Sequence, residues 1–125
     1  MTSKDTNSLQ TASDGLSVYE FLANNIDSID EADLDRVVDR LMQADITGQF
    51  CVSAARYLAA IDSSRYANPI DRLVKGAIDR DRERHYIGDL LESLWGKDYM
   101  ACAARLIASD DNFRRIYKRV YPDRL

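Results

Sequence analysis

Apolar residues recur along this chain every three or four positions, and in one stretch, Phe50–Ile61, they leave almost no polar face. Cys51, Val52, Ala54, Ala55, Leu58 and Ala59 lie there around a lone charge, Arg56. A helix of that character belongs in the middle of a bundle, because a surface helix shows a polar side. A second stretch, Tyr99–Ser109, reads the same way: Ala103-Ala104-Arg105 repeats Ala54-Ala55-Arg56 at an offset of 49 residues. The same offset brings Val38, Leu41 and Met42 onto Ile87, Leu90 and Leu91. The pattern therefore predicts two tandem αα-hairpins. Each consists of an amphipathic helix, a glycine-containing turn and an apolar helix that is buried by stacking on its neighbour. Two unrelated core helices of similar alanine-rich composition are the alternative.

The other elements follow from spacing and caps. Ser17-Val18-Tyr19-Glu20 has the form of a capping box, opening a short helix that carries Val18, Phe21 and Leu22. Ser28-Ile29-Asp30-Glu31 opens the next helix, with Leu34, Val37, Val38 and Leu41 on one face and acids at its start, where they complement the helix dipole. After a loop over Ser63–Asn68, Pro69 begins a helix bearing Ile70, Leu73, Val74, Ala77 and Ile78. Its apolar phase is interrupted by Asp79–Arg84, which predicts a break near Arg80, and resumes from Tyr86 to Trp95, with Gly96 placed to stop it. Asp110, Asp111 and Asn112 can cap a last helix, Phe113–Tyr121, which Pro122 ends.

The expected organisation is a flexible tail over residues 1–15 and a single all-α domain over 16–125. Within it lie a hairpin unit at 30–62, a connecting helix at 69–79, a second hairpin unit at 80–109 and a C-terminal helix at 111–121. The fold class is an all-α bundle of six or seven helices. The length, 125 residues, suits one domain. Five glycines and two prolines favour long regular elements over a turn-rich β fold. No apolar run approaches the roughly 20 residues of a membrane span. The N-terminus lacks the basic-then-apolar plan of a secretory signal, so a cytoplasmic location is expected.

Candidate chemistry is sparse. His85 is the single histidine and lies in a charged stretch, which reads as an exposed imidazole. Cys51 and Cys102 sit in alanine-rich helices and read as buried, inert thiols. The chain has no glycine-rich phosphate loop, no CxxC pair and no GxSxG. No catalytic residue, cofactor or metal is expected, and no motif selects one family among the many proteins built of αα-hairpins.

Charge is what remains. Up to Asp45 the chain carries ten acids against three bases, and beyond Asp111 it carries Arg114, Arg115, Lys118, Arg119 and Arg124 against Asp123. With Tyr117 and Tyr121 interleaved, Arg114, Arg115, Lys118 and Arg119 form the candidate binding surface, while Phe113, Ile116 and Val120 dock the helix. Arg56 and Arg105 are expected to mark the solvent-facing strips of their helices. The expected function is a non-catalytic protein–protein interaction module: an adaptor, inhibitor or regulatory subunit. The alternatives are a nucleic-acid-associated protein using the basic last helix, or an acidic polyanion mimic that blocks a nucleic-acid-binding partner. The formal charge of −4 speaks against non-specific nucleic-acid binding.

Overall fold

The computed structural model describes residues 14–124, so the expectation for the tail over residues 1–13 lies outside them. The described residues form seven α-helices and no strand, the all-α bundle that the apolar spacing predicts. In chain order these are α1 (Gly15–Asn25), α2 (Glu31–Ala44), α3 (Gln49–Asp62), α4 (Ala67–Arg80), α5 (Asp89–Trp95), α6 (Ala103–Ser109) and α7 (Asp111–Val120). A 3-10 turn, Pro122–Arg124, closes the described chain. Among the described residues no helix is long and apolar enough to cross a membrane.

Several helix starts differ from the sequence expectation, and the reason is the stronger acceptor. Asp14, not Ser17, caps α1: its carboxylate accepts from the Ser17 N–H at 2.7 Å. That bond holds the Asp14 carboxyl below the usual carboxylate range. Gly15, read as tail, is helical and buried. Asp30, not Ser28, caps α2 by accepting from the Asp33 N–H at 2.8 Å, and the Ser28 hydroxyl turns back onto the Asn25 carbonyl. A carboxylate outbids a hydroxyl for an orphan N–H because the bond is charge-assisted. Helix α4 begins at Ala67, ahead of the Asn68-Pro69 pair, and ends at Arg80.

The helices pack in two layers. Helix α3 touches α1 on one side and α5 on the other, while α2, α4 and α7 pack side by side behind them. The most extensive contact joins α3 to α4, the first and second helices of the central hairpin. Helix α3 buries Cys51, Val52, Ala54, Ala55 and Leu58, as its apolar surround requires. On its other side α4 approaches α2 closely at Gly76, where a Cβ would run into the Met42 side chain.

Helices α2, α4 and α7 run parallel, because their ends meet pairwise. Arg72, early in α4, bonds Asp39 and lies 3.7 Å from Asp35 in α2. Asn112, at the start of α7, donates to Asp71 at 2.8 Å. At the opposite ends Arg80 reaches back to α2, and Arg119 reaches back to α4.

The geometry repeats every 36 residues, in place of the 49 expected. Asp45 and Asp81 are both buried, each directly after a helix. The Asp45 carboxylate accepts from the N–H groups of Gly48 (3.3 Å), Phe50 (3.0 Å) and Cys51 (2.8 Å). Asp81, 36 positions on, accepts from His85 (2.9 Å), Tyr86 (2.7 Å) and Ile87 (2.8 Å). In each of these turns the backbone goes left-handed three residues after the aspartate, at Gly48 (φ +90°) and at Arg84 (φ +55°), again 36 apart. Apolar burial keeps the same register: Leu34, Val37, Val38 and Leu41 match Ile70, Leu73, Val74 and Ala77. Under the 49-residue register Val38 and Leu41 do fall on the buried Ile87 and Leu90, but burial does not repeat in the helix that follows. Tyr99–Cys102 form a turn, and α6 buries none of its residues, whereas α3 is the centre of the core.

Candidate functional site

The basic last helix is where the sequence places a site, and the structure divides its residues into two groups. Helix α7 starts at Asp110, whose carboxylate accepts both the Phe113 N–H at 3.1 Å and the Trp95 indole N–H at 2.9 Å. Phe113, Ile116 and Tyr117 then face the core. Tyr117 is 5% exposed and stacks on Phe113 with centroids 5.5 Å apart, so it is a docking residue and not a contact surface. Tyr121 is half-buried, with its hydroxyl 3.0 Å from that of Tyr99. That bond, more than burial, pushes the Tyr99 phenol up to about 12.

Arg119 is also part of the scaffold. Its Nη1 donates to the carbonyls of Ile78 (2.5 Å) and Asp81 (3.1 Å), at the C-terminal end of α4. The same joint occurs one unit earlier, where Arg80 donates to the carbonyls of Met42 (2.6 Å) and Asp45 (2.9 Å) at the end of α2. Met42 and Asp45 lie 36 residues before Ile78 and Asp81. Helices α2 and α4 thus each receive, at the negative dipole end, an arginine from the next helix of the parallel layer. Arg115 is half-buried and lies 3.4 Å from Asp79. The sequence expectation that all four cations face solvent is corrected accordingly: Arg119 and Arg115 are turned onto α4, and Arg114 and Lys118 are the exposed pair. Arg114 itself reaches Asp111 at 2.5 Å, a bond that lowers the Asp111 carboxyl.

What the sequence reading missed is the contribution of the α4–α5 loop. Arg82 and Arg84, in the run that interrupts the apolar phase, come against α7: Arg84 donates to the Arg119 carbonyl at 3.4 Å, and the charge of Arg82 acts on Arg119. Burial, followed by the nearby charges of Arg82 and Arg115, lowers the Arg119 guanidinium below its usual value. The signal that could have revealed this is the pairing of Leu34-Asp35-Arg36-Val37-Val38 with Ile70-Asp71-Arg72-Leu73-Val74, which fixes the 36-residue register. The result is a basic end, built from Arg82, Arg84, Arg115, Lys118 and Arg119, with Asp79 and Glu83 among them, while Arg114 lies one turn before Lys118, toward the start of α7.

The opposite end is acidic, and much of that charge is used locally. Asp30 caps a helix, Asp33 pairs with Arg36, and Asp35 and Asp39 meet Arg72. Of the three parallel helices, α7 carries both an acid in its first turn (Asp111) and bases in its last (Lys118, Arg119), whereas α2 has only the acids at its start and α4 only Arg80 at its end.

The remaining candidates are placed plainly. His85 is exposed, its Nε2 3.1 Å from Glu83. Cys51 is buried, and burial and then Asp45 push its thiol up to about 12, which keeps it protonated; Cys102 is half-buried. Arg56 and Arg105 are both exposed. Among the described residues no group of three or more His, Cys, Asp or Glu side chains is placed to hold a metal ion. A scan against protein-family models, a search of curated proteins and a search of solved structures each returned no match.

Proposed function

We propose that the protein is a non-catalytic interaction module, an adaptor, inhibitor or regulatory subunit, that receives an acidic protein partner at the basic end formed by α7 and the α4–α5 loop. The observation that carries this reading is the exposure of Arg82 in the loop and of Arg114 and Lys118 on α7, while Arg119, next to Lys118, is held in a carbonyl joint to the end of α4. Cations fixed to a rigid helix end lose little entropy on binding and attract an acidic surface from a distance. Exposed cations that are not buried in ion pairs contribute little to stability, which leaves them free to serve recognition.

A second reading, nucleic-acid binding, draws on the same cations and differs in its salt dependence. Phosphate contacts release counterions, so affinity falls steeply with salt, with a log–log slope of about −0.9 per phosphate contacted on duplex DNA. Titration of the protein with a duplex and with a single-stranded RNA at rising salt separates the two. The proposal predicts no tight binding to either, since the acidic end of the molecule repels a long polyanion. Tight binding with a steep slope, lost when Arg82, Arg114 and Lys118 are replaced by Gln, would overturn it.

A further inference from the structure

The layer formed by α1, α3 and α5 carries a groove that the basic end does not use. Between α1 and α3 lies a cleft of about 430 Å³ lined by Tyr19, Ser53, Tyr57 and Ala60. Between α3 and α5 lies another of about 450 Å³, lined by Gly88, Asp89, Glu92 and Gly96. Arg56 and Ser93 border both, so the two clefts form one continuous trough with Arg56 at its midpoint. We propose that this trough binds an extended peptide, which brings a carboxylate to Arg56 and seats an apolar side chain beside Tyr19 and Tyr57.

Arg56 is held in place but not saturated. Its Nε donates to the Ser93 hydroxyl at 2.9 Å, which fixes the plane of the guanidinium. The nearest carboxylate, Asp89, lies 3.9 Å from Nη1, and the two side chains are 50% and 67% exposed. That is a long, solvent-screened pair, which an incoming carboxylate bound through two parallel N–H bonds replaces at little cost. The aromatic wall is rigid as well. Tyr19 packs on Phe50 at 6.4 Å and meets the Tyr57 ring edge-on at 6.5 Å, while the Tyr57 hydroxyl is tied to the Ala23 carbonyl at 3.3 Å. Such rings offer contact area with little entropy left to lose.

The chemistry of the lining selects an extended segment over a helix. A docking helix satisfies its own backbone and asks for an apolar groove, whereas this trough mixes hydroxyls and charges with its aromatic wall. Ser53, Ser93 and Arg56 supply partners for the backbone polar groups that an extended chain leaves open. Beyond Arg56 the second cleft sets Asp89 and Glu92 against Lys97, an excess of acid that favours a basic residue, so the matching segment reads apolar, acidic, basic along the groove. Stacked helical hairpins characteristically bind along such a layer face.

The test is selection of a displayed library of random twelve-residue peptides on the full chain, followed by affinity measurement of the winning peptide. Enriched peptides should carry an acidic residue within a few positions of an apolar one. Arg56→Gln should weaken the winner at least tenfold, and Ala60→Trp, an exposed change that fills the first cleft, should abolish binding. Lys118→Gln, at the other site, should leave it unchanged. No enrichment, winners without an acidic residue, or winners insensitive to both groove variants would overturn the proposal. If Arg56→Gln does not fold, Ala60→Trp decides alone. Because the probes and the control separate the two surfaces, this outcome is independent of whether the basic end binds its partner.

Discussion

Asp81→Ala is expected to lower the unfolding free energy by about 3–5 kcal/mol and the thermal midpoint by roughly 10–20 °C. The Asp81 carboxylate accepts three backbone N–H groups, from His85, Tyr86 and Ile87, and is itself buried. Removing it strands the buried Ile87 N–H and the half-buried His85 and Tyr86 N–H groups, at a cost of about 1–3 kcal/mol for each donor that stays unpaired. It also loosens the turn that carries Arg82 and Arg84 and therefore the basic end. Asp45→Ala should behave alike, because its carboxylate serves Gly48, Phe50 and Cys51 in the same way. Arg119→Gln removes the other half of the joint and should cost less, about 1–2 kcal/mol, since it loses two half-buried bonds where Asp81→Ala loses three, one of them buried. Chemical denaturation of the three variants checks the order. Equal stability of Asp81→Ala and the parent would show that the carboxylate does not organise the turn.

The second large effect separates two alanines that the sequence treats as equivalent. Ala55→Asp should cost about 4 kcal/mol or more and leave little folded protein, because Ala55 is fully buried where α3 meets its neighbours. Ala104→Asp, its counterpart at the 49-residue offset, should change stability by no more than about 0.5 kcal/mol, because Ala104 is exposed on α6. Thermal melts of both variants decide between the two registers. Comparable losses at the two sites would restore α6 to the core.

The contrast between those alanines shows what local pattern conveys. Periodicity identifies helices, so the apolar spacing gave the fold class, and the run Asp79–Arg84 marked the end of α4. It does not say how many neighbours a helix has. Phe50–Ile61 and Tyr99–Ser109 are equally apolar, but α3 lies between other helices, whereas α6 packs chiefly on α7 at the end of the stack. The caps were misplaced for a related reason. A capping box is a local signature, and Asp14 and Asp30 displaced Ser17 and Ser28 through bonds made three residues away. The candidate site was legible as a charge pattern on α7. Which cations are structural was not, because Arg119 meets Ile78 and Asp81 across 41 and 38 residues. Tyr117, four residues after Phe113, belongs to the apolar stripe, a position that its charged neighbours mask in the sequence.

The functional account rests on the division of α7 into a structural edge and a recognition edge. Its most direct test is affinity capture from the native host, comparing the parent with a variant in which Arg82, Arg114 and Lys118 are replaced by Glu. These residues are exposed and lie outside the carbonyl joint, so the variant should melt with the parent. The account predicts that the parent retains an acidic protein that salt releases and that the variant does not retain it. Retention of the same partner by parent and variant, with both folded, would contradict it.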